Sequence, residues 1–140
     1  MALGTGTGTG LRARWAVVAL VAWTFFVWTT RIGNIWNDDG LDTAGKVGRT
    51  ALALSFTVLA LAVVGALWRR PAWLRPAVLA LAGWTVAVWL VRGTGIVVGD
   101  HDTAFKVVHA VLAVVSIALS VLAERSLRGS PDREPEPVAA

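Results

Sequence analysis

The chain has 140 residues, 56% apolar and 16% charged, with a mean hydropathy of +0.64 and a formal net charge of +4. That charge content lies well below the roughly 25% of soluble domains, and no basic run interleaved with aromatics stands outside the apolar blocks, which argues against a nucleic-acid binder. Cysteine is absent, excluding disulfides, thiolate catalysis and cysteine-held metals.

Residues 1–12 carry "GTGTGTG", a flexible low-complexity tail without the Lys-Ser/Thr ending that a phosphate-binding loop needs. Four apolar blocks follow: Trp15–Thr30, Ala51–Trp68, Ala77–Val91 and Val107–Ala123. Extended by a turn, each approaches the roughly 20 residues that cross a bilayer. Helices of a soluble fold carry a polar stripe along their whole length, and these blocks do not. We therefore expect transmembrane helices over 13–36, 43–68, 76–98 and 103–126. The first resembles a secretory signal but lacks a small-residue cleavage pattern, so it reads as a retained helix. "NDDGLD", "RRPAWLRP" and "GDHD" supply the turns, with proline or Asx-glycine chemistry at each. Residues 13–126 then form one transmembrane domain, and 127–140 a disordered polar tail.

Basic residues set the expected orientation. Arg12, Arg14, Arg69, Arg70, Arg75, Arg125, Arg128 and Arg133 fall on one side, against Arg31, Lys46, Arg49, Arg92 and Lys106 on the other. Both termini are expected in the cytoplasm.

The chain also repeats itself. "WTFFVWTTR" at 23–31 returns sixty-one residues later as "WTVAVWLVR". Ala19, Leu20, Trp23, Thr24, Val27, Trp28, Arg31, Ile35 and Asp39 match Ala80, Leu81, Trp84, Thr85, Val88, Trp89, Arg92, Ile96 and Asp100. After a one-residue slip, Asp42, Thr43, Ala44, Lys46, Val47, Leu52 and Ala53 match Asp102, Thr103, Ala104, Lys106, Val107, Leu112 and Ala113. The expected fold is all-α: a four-helix transmembrane bundle of two tandemly repeated helical hairpins, related by a pseudo-twofold axis along the membrane normal.

At about 100° per residue, Thr24, Trp28, Arg31 and Ile35 share one stripe, as do their counterparts through Arg92. On the even helices Asp42, Lys46 and Arg49 align, as do Asp102, Lys106 and His109. A polar cluster of Arg31, Asp39, Asp42, Lys46, Arg49, Arg92, Asp100, Asp102, Lys106 and His109 is therefore expected at the outer end. Asp42 or Thr43, and Asp102 or Thr103, are candidate helix caps, and the acid-first Asp–Lys spacing of four supports each helix start. Two accounts of Arg31 and Arg92 stay open: snorkelling to lipid phosphates, or inward pairing with Asp39, Asp42, Asp100 or Asp102. Trp23 and Trp84 read as packing between hairpins, and Trp28 and Trp89 as platforms for the arginines. Trp15, Trp68 and Trp73 belong to one interfacial belt and Trp36 to the other. Ser55, Thr57, Ser116 and Ser120 suit bonding between helices.

"GDHD" with His109 is the only carboxylate–histidine group, but the matching turn "DGLD" has no histidine, so it reads as a capped, solvated turn. No metal, cofactor or catalytic nucleophile is expected. "VWTTRIGNIWNDD" and "WLVRGTGIVVGDHDTAFKVVHAVL" resemble segments of uncharacterised small actinobacterial integral membrane proteins, the likeness covering residues 15–123. It implies four helices in a bacterial plasma membrane and carries over no activity. The expected function is a non-enzymatic structural or interaction module whose partners are the lipid bilayer and its anionic headgroups, another membrane protein or a second copy. The alternatives are a small transporter or proton-linked component using Asp42, Asp102, Lys106 and His109, and a lipid-headgroup enzyme using the same carboxylates.

Overall fold

Local chemistry sets the helix boundaries. The computed structural model describes residues 7–69 and 71–128, and of 7–13 the backbone alone. Its helices are α1 (Thr7–Trp36), α2 (Thr43–Arg69), α3 (Leu74–Val98) and α4 (Thr103–Arg128), with a 3₁₀ turn at Pro71–Trp73. Asp42 Oδ1 accepts the Gly45 N–H at 2.8 Å and Asp102 Oδ1 the Phe105 N–H at 2.8 Å, so each even helix opens on a carboxylate cap. At the end of α3 the Gly99 N–H donates to the Gly95 carbonyl, and a Cβ at Gly99 would come within 2.8 Å of that oxygen. Only glycine fits this close approach.

Four boundaries differ from those expected, that of α2 by one residue, at Arg69 rather than 68. Helix α1 begins at Thr7 rather than 13, so the Gly/Thr stretch is helical from that residue on. Glycine disfavours a helix by roughly 1 kcal/mol, but extending a formed helix adds one hydrogen bond per residue fixed. Helix α3 begins at Leu74 rather than 76 and takes Pro76 into its first turn, where a missing N–H leaves no bond unmade. Helix α4 runs to Arg128, with Arg125 and Arg128 in its last turn beside the negative end of the helix dipole. The rest of the expected tails, 1–6 and 129–140, lies outside the described residues, as does Arg70.

The helices pack as a closed ring: each contacts its neighbours in chain order, and α1 contacts α4. Helices α1 and α3 therefore stand on one diagonal, α2 and α4 on the other. Val17, Leu20, Phe56, Val63, Val78 and Leu81 fill the centre and are fully buried. Small residues there, including Ala53, Ala60, Ser116, Ser120 and Ala123, let the backbones approach.

The outside is as apolar as the inside. At most 33% of any span is buried within the bundle, and only 11% of that in α4. Phe26, Leu54, Leu61, Leu90, Val114 and Leu122 all point outward. No soluble monomer presents so continuous an apolar surface to water. With spans of 23, 27, 28 and 26 residues, all four helices are long and apolar enough to cross a bilayer, and the chain is a multi-pass membrane protein. Trp15, Trp68 and Trp73 are exposed near one end and Trp36 near the other, where amphipathic rings meet headgroups.

Because lipid is as apolar as leucine, packing rather than water exclusion holds the helices together. Phe56→Ala is expected to cost about 3–5 kcal/mol in unfolding titrations with SDS in mixed micelles. Leu61→Ala, on the lipid face, should change stability by less than about 0.5 kcal/mol.

Candidate functional site

Arg31 lies five residues before the end of α1 and Arg92 six before the end of α3; Arg49 and His109 each lie six residues past the starts of α2 and α4. At 1.5 Å per residue, all four sit about 7–9 Å below the same end of the bundle. Each helix of the ring thus contributes one nitrogen-rich side chain at one level. Arg31 and Arg92 occupy one diagonal, Arg49 and His109 the other.

Among the described residues, Arg31 alone of these arginines has an internal partner. Arg31 Nη1 lies 3.2 Å from His109 Nε2, and His109 Nδ1 lies 2.9 Å from the Phe105 carbonyl. A guanidinium only donates, so Nε2 must accept. The proton then resides on Nδ1, which donates to Phe105 O, and the buried imidazole is neutral. The Phe105 ring packs against His109 at 3.9 Å and against His101 at 4.7 Å, fixing the imidazole plane from one side.

Arg49 and Arg92 make no hydrogen bond or ion pair among the described residues, where Glu124–Arg128 is the only ion pair. The positive charges of Arg31, Arg49 and Arg92 are close enough to repel one another. The inward pairing of Arg31 and Arg92 with aspartates is therefore not what the structure holds. Asp42 and Asp102 are turned to their own helix starts, and Asp39 and Asp100 are exposed in the turns. Nor do the lysines pair with them. Lys46 Nζ donates to the Trp36 carbonyl at 3.4 Å and Lys106 Nζ to the Val97 carbonyl at 3.2 Å, each reaching back to the end of the preceding helix. That terminus carries unpaired carbonyls and the negative end of the dipole, which attract an ammonium.

Below the ring lies a layer of tryptophans. Trp23 Nε1 donates to Ser116 Oγ and Trp84 Nε1 to Ser55 Oγ, both at 2.9 Å, tying α1 to α4 and α3 to α2. Thr57 and Ser120 instead bond back to the carbonyls of Ala53 and Ser116 in their own helices. Trp28 stacks flat on Phe56, with centroids 3.9 Å apart and planes inclined by 13°, so its face is taken by a phenyl ring and not by a guanidinium. Trp89 is buried and lines a cleft with Arg31 and Arg92.

Two clefts reach the ring. One of about 180 Å³ lies among α1, α3 and α4 and is bordered by Trp28, Arg31, Val88, Trp89, Arg92 and His109. A wider one of about 520 Å³ lies between α2 and α3 and is bordered by Arg49 and Arg92. Among the described residues, no three of His, Asp or Glu gather as a metal site would require. Chemically, the ring can bind an anion: it offers guanidinium donors in fixed forks and no competing carboxylate.

The sequence did not point to the Arg31–His109 contact or to Phe56. The polar stripes gave each helix a face. Which faces meet depends on the ring order, which no spacing within one helix encodes. The described fold and its end cluster define a four-helix membrane protein with a cationic cap. No protein-family model matches the chain, and neither does any curated protein or solved structure.

His109→Ala should lower unfolding free energy by about 1.5–3 kcal/mol, the range for a hydrogen bond to a charged group. His109→Gln offers an amide oxygen to Arg31 and should recover more than half of that loss in the same SDS titration.

Proposed function

We propose that this protein is a non-enzymatic membrane module whose ring of Arg31, Arg49 and Arg92 engages an anionic partner group at the non-cytoplasmic face. One observation carries this reading: three mutually repelling guanidiniums share one level of the bundle, and among the described residues no carboxylate is bound to any of them. A charge at a helix centre in lipid is unfavourable by about 2.5–3.5 kcal/mol, and an anion supplied from outside offsets that.

The same geometry weighs against the alternatives. Transport needs a polar path past mid-membrane, and Leu20, Phe56, Val63 and Leu81 fill that level. A headgroup enzyme built on Asp42 and Asp102 needs them free, and both are spent on helix caps. The reading extends to a duplicated hairpin with pseudo-twofold symmetry in a bacterial plasma membrane, with both termini cytoplasmic. Paired contacts support the duplication. Trp23 and Trp84 each bond a serine of the other half, although Ser55 and Ser116 stand one residue apart in the register that aligns α2 with α4, and Lys46 and Lys106 reach the matching carbonyls of Trp36 and Val97.

Two measurements test this. In nonionic detergent, inorganic phosphate at 100 times its Kd should stabilise the protein by about 2.7 kcal/mol, beyond chloride at equal ionic strength. The Arg31→Gln/Arg92→Gln double variant should lose that gain; equal responses to both salts would refute the reading. Because the chain has no cysteine, single-cysteine variants report topology cleanly. Asp39→Cys and Asp100→Cys should react with an impermeant maleimide on intact cells, and Ala72→Cys only after permeabilisation. The reverse pattern would invert the orientation.

A further inference from the structure

The two clefts at the cationic end occupy corresponding places in the repeat, and they differ in one informative way. Val27, Thr30 and Arg31 of the narrower cleft correspond to Val88, Val91 and Arg92 of the wider one. Across from them, Val108, His109 and Leu112 correspond to Gly48, Arg49 and Leu52. In the narrower cleft Arg31 is held internally, by a neutral histidine that accepts its N–H, while Arg92 borders both clefts. In the wider cleft the acceptor's position holds a second donor, Arg49, and the neighbouring valine has become Gly48. Charge and shape change together: an acceptor is replaced by a cation, and a valine by a glycine at the edge of a cleft of about 520 Å³.

We propose that the α2–α3 cleft binds one anionic phospholipid, its phosphate bridging Arg49 and Arg92 in place of the missing acceptor and its acyl chain lying along Gly48, Leu52, Trp84 and Val91. This rests on the anion-binding reading of the ring and adds the ligand and its position. Three observations carry it. Arg49 and Arg92 border the same cleft, repel one another and have no hydrogen bond or ion pair among the described residues. Planar guanidinium forks match phosphate oxygens in pairs. The rest of the lining is apolar apart from the Trp84 indole N–H, which Ser55 already takes, and its edge is formed by the exposed Gly48, Ala87 and Val91. Those residues face outward within the membrane-spanning length of α2 and α3, so the cleft opens to lipid from the side and a hydrocarbon chain can enter without crossing water. The depth also fits, since guanidiniums about 9 Å below the helix ends extend up to the phosphate level of a leaflet. At about 520 Å³ the cleft falls within the roughly 300–1,000 Å³ of ordinary ligand sites.

Gly48 supplies the sharpest variant. An added Cβ there meets nothing within 4 Å, so Gly48→Val adds a branched side chain at the cleft's edge with no backbone clash at its Cβ. Arg49→His restores at that position the residue type found in the other half and gives Arg92 an internal acceptor. The experiment measures binding to the full-length protein in nonionic detergent by native mass spectrometry, with dioleoyl phosphatidylglycerol, dioleoyl phosphatidylcholine and inorganic phosphate as separate probes. The expected result is at least tenfold tighter binding of phosphatidylglycerol than of phosphatidylcholine or inorganic phosphate. Gly48→Val, Arg49→Gln and Arg49→His should each weaken phosphatidylglycerol at least tenfold, and none should melt below the parent in lipid-free detergent. Equal binding of the two lipids would overturn the assignment. Inorganic phosphate binding as tightly as phosphatidylglycerol, and indifferent to Gly48→Val, would overturn the lipid while leaving the anion-binding ring intact. Failure of all three probes would remove both.

Discussion

A guanidinium set into a membrane-spanning helix has to find an acceptor, and the organisation of this protein's polar end follows from how few acceptors it has. Arginine stays protonated under any condition the molecule meets, so it cannot escape by losing its charge as a buried lysine can. Arg31 solves the problem with a neutral histidine held in one tautomer by the Phe105 carbonyl. Arg92 and Arg49 have no such solution within the described residues. Asp42 and Asp102 are spent at the starts of α2 and α4, where they satisfy backbone N–H groups that would otherwise go unpaired, and Asp39 and Asp100 are exposed in the turns. What remains is a surplus of positive charge at one level of the bundle.

The rest of the structure is arranged so that this surplus does not unravel the helices. Beneath the ring, Trp28 lies on Phe56, and two indole–serine bonds join neighbouring helices across the hairpins. Bonds of this kind in membranes average about 0.6 kcal/mol, so they register the helices more than they drive association. The driving term is contact among Val17, Leu20, Val63, Val78 and Leu81, with alanines and serines bringing the backbones close enough for dispersion to accumulate. A filled centre beneath an open polar cap suits a protein that holds something at its face rather than passing something through.

Much of this was legible in the residues and some was not. The four spans announced themselves as apolar blocks of bilayer length, and the aspartates before Thr43 and Thr103 announced the starts of the even helices. Both depend on neighbours in sequence, which spacing reports well. The Arg31–His109 bond and the Trp28–Phe56 stack join residues 78 and 28 positions apart. They depend on which helix faces meet across the ring, and a stripe on one helix does not say what it faces. The start of α1 was missed for a different reason. Glycine and threonine are poor helix formers in isolation, yet they extend a helix already nucleated by the apolar run that follows. The lysines misled because the acid-first spacing of four suggests an ion pair, while the carbonyls at the end of the preceding helix offer a nearer and oriented acceptor.

The most direct measurement is the thermal stability of Arg92→Gln in nonionic detergent at low ionic strength, free of phosphate and anionic lipid. Removing a charge from an uncompensated cluster relieves repulsion, so the variant should melt at a higher temperature than the parent, and added sodium chloride should narrow the gap by screening. Arg49→Gln should shift the melting temperature in the same direction. A lower melting temperature in both variants, insensitive to salt, would mean that these arginines already have their partners, and the account of the cationic end would be wrong.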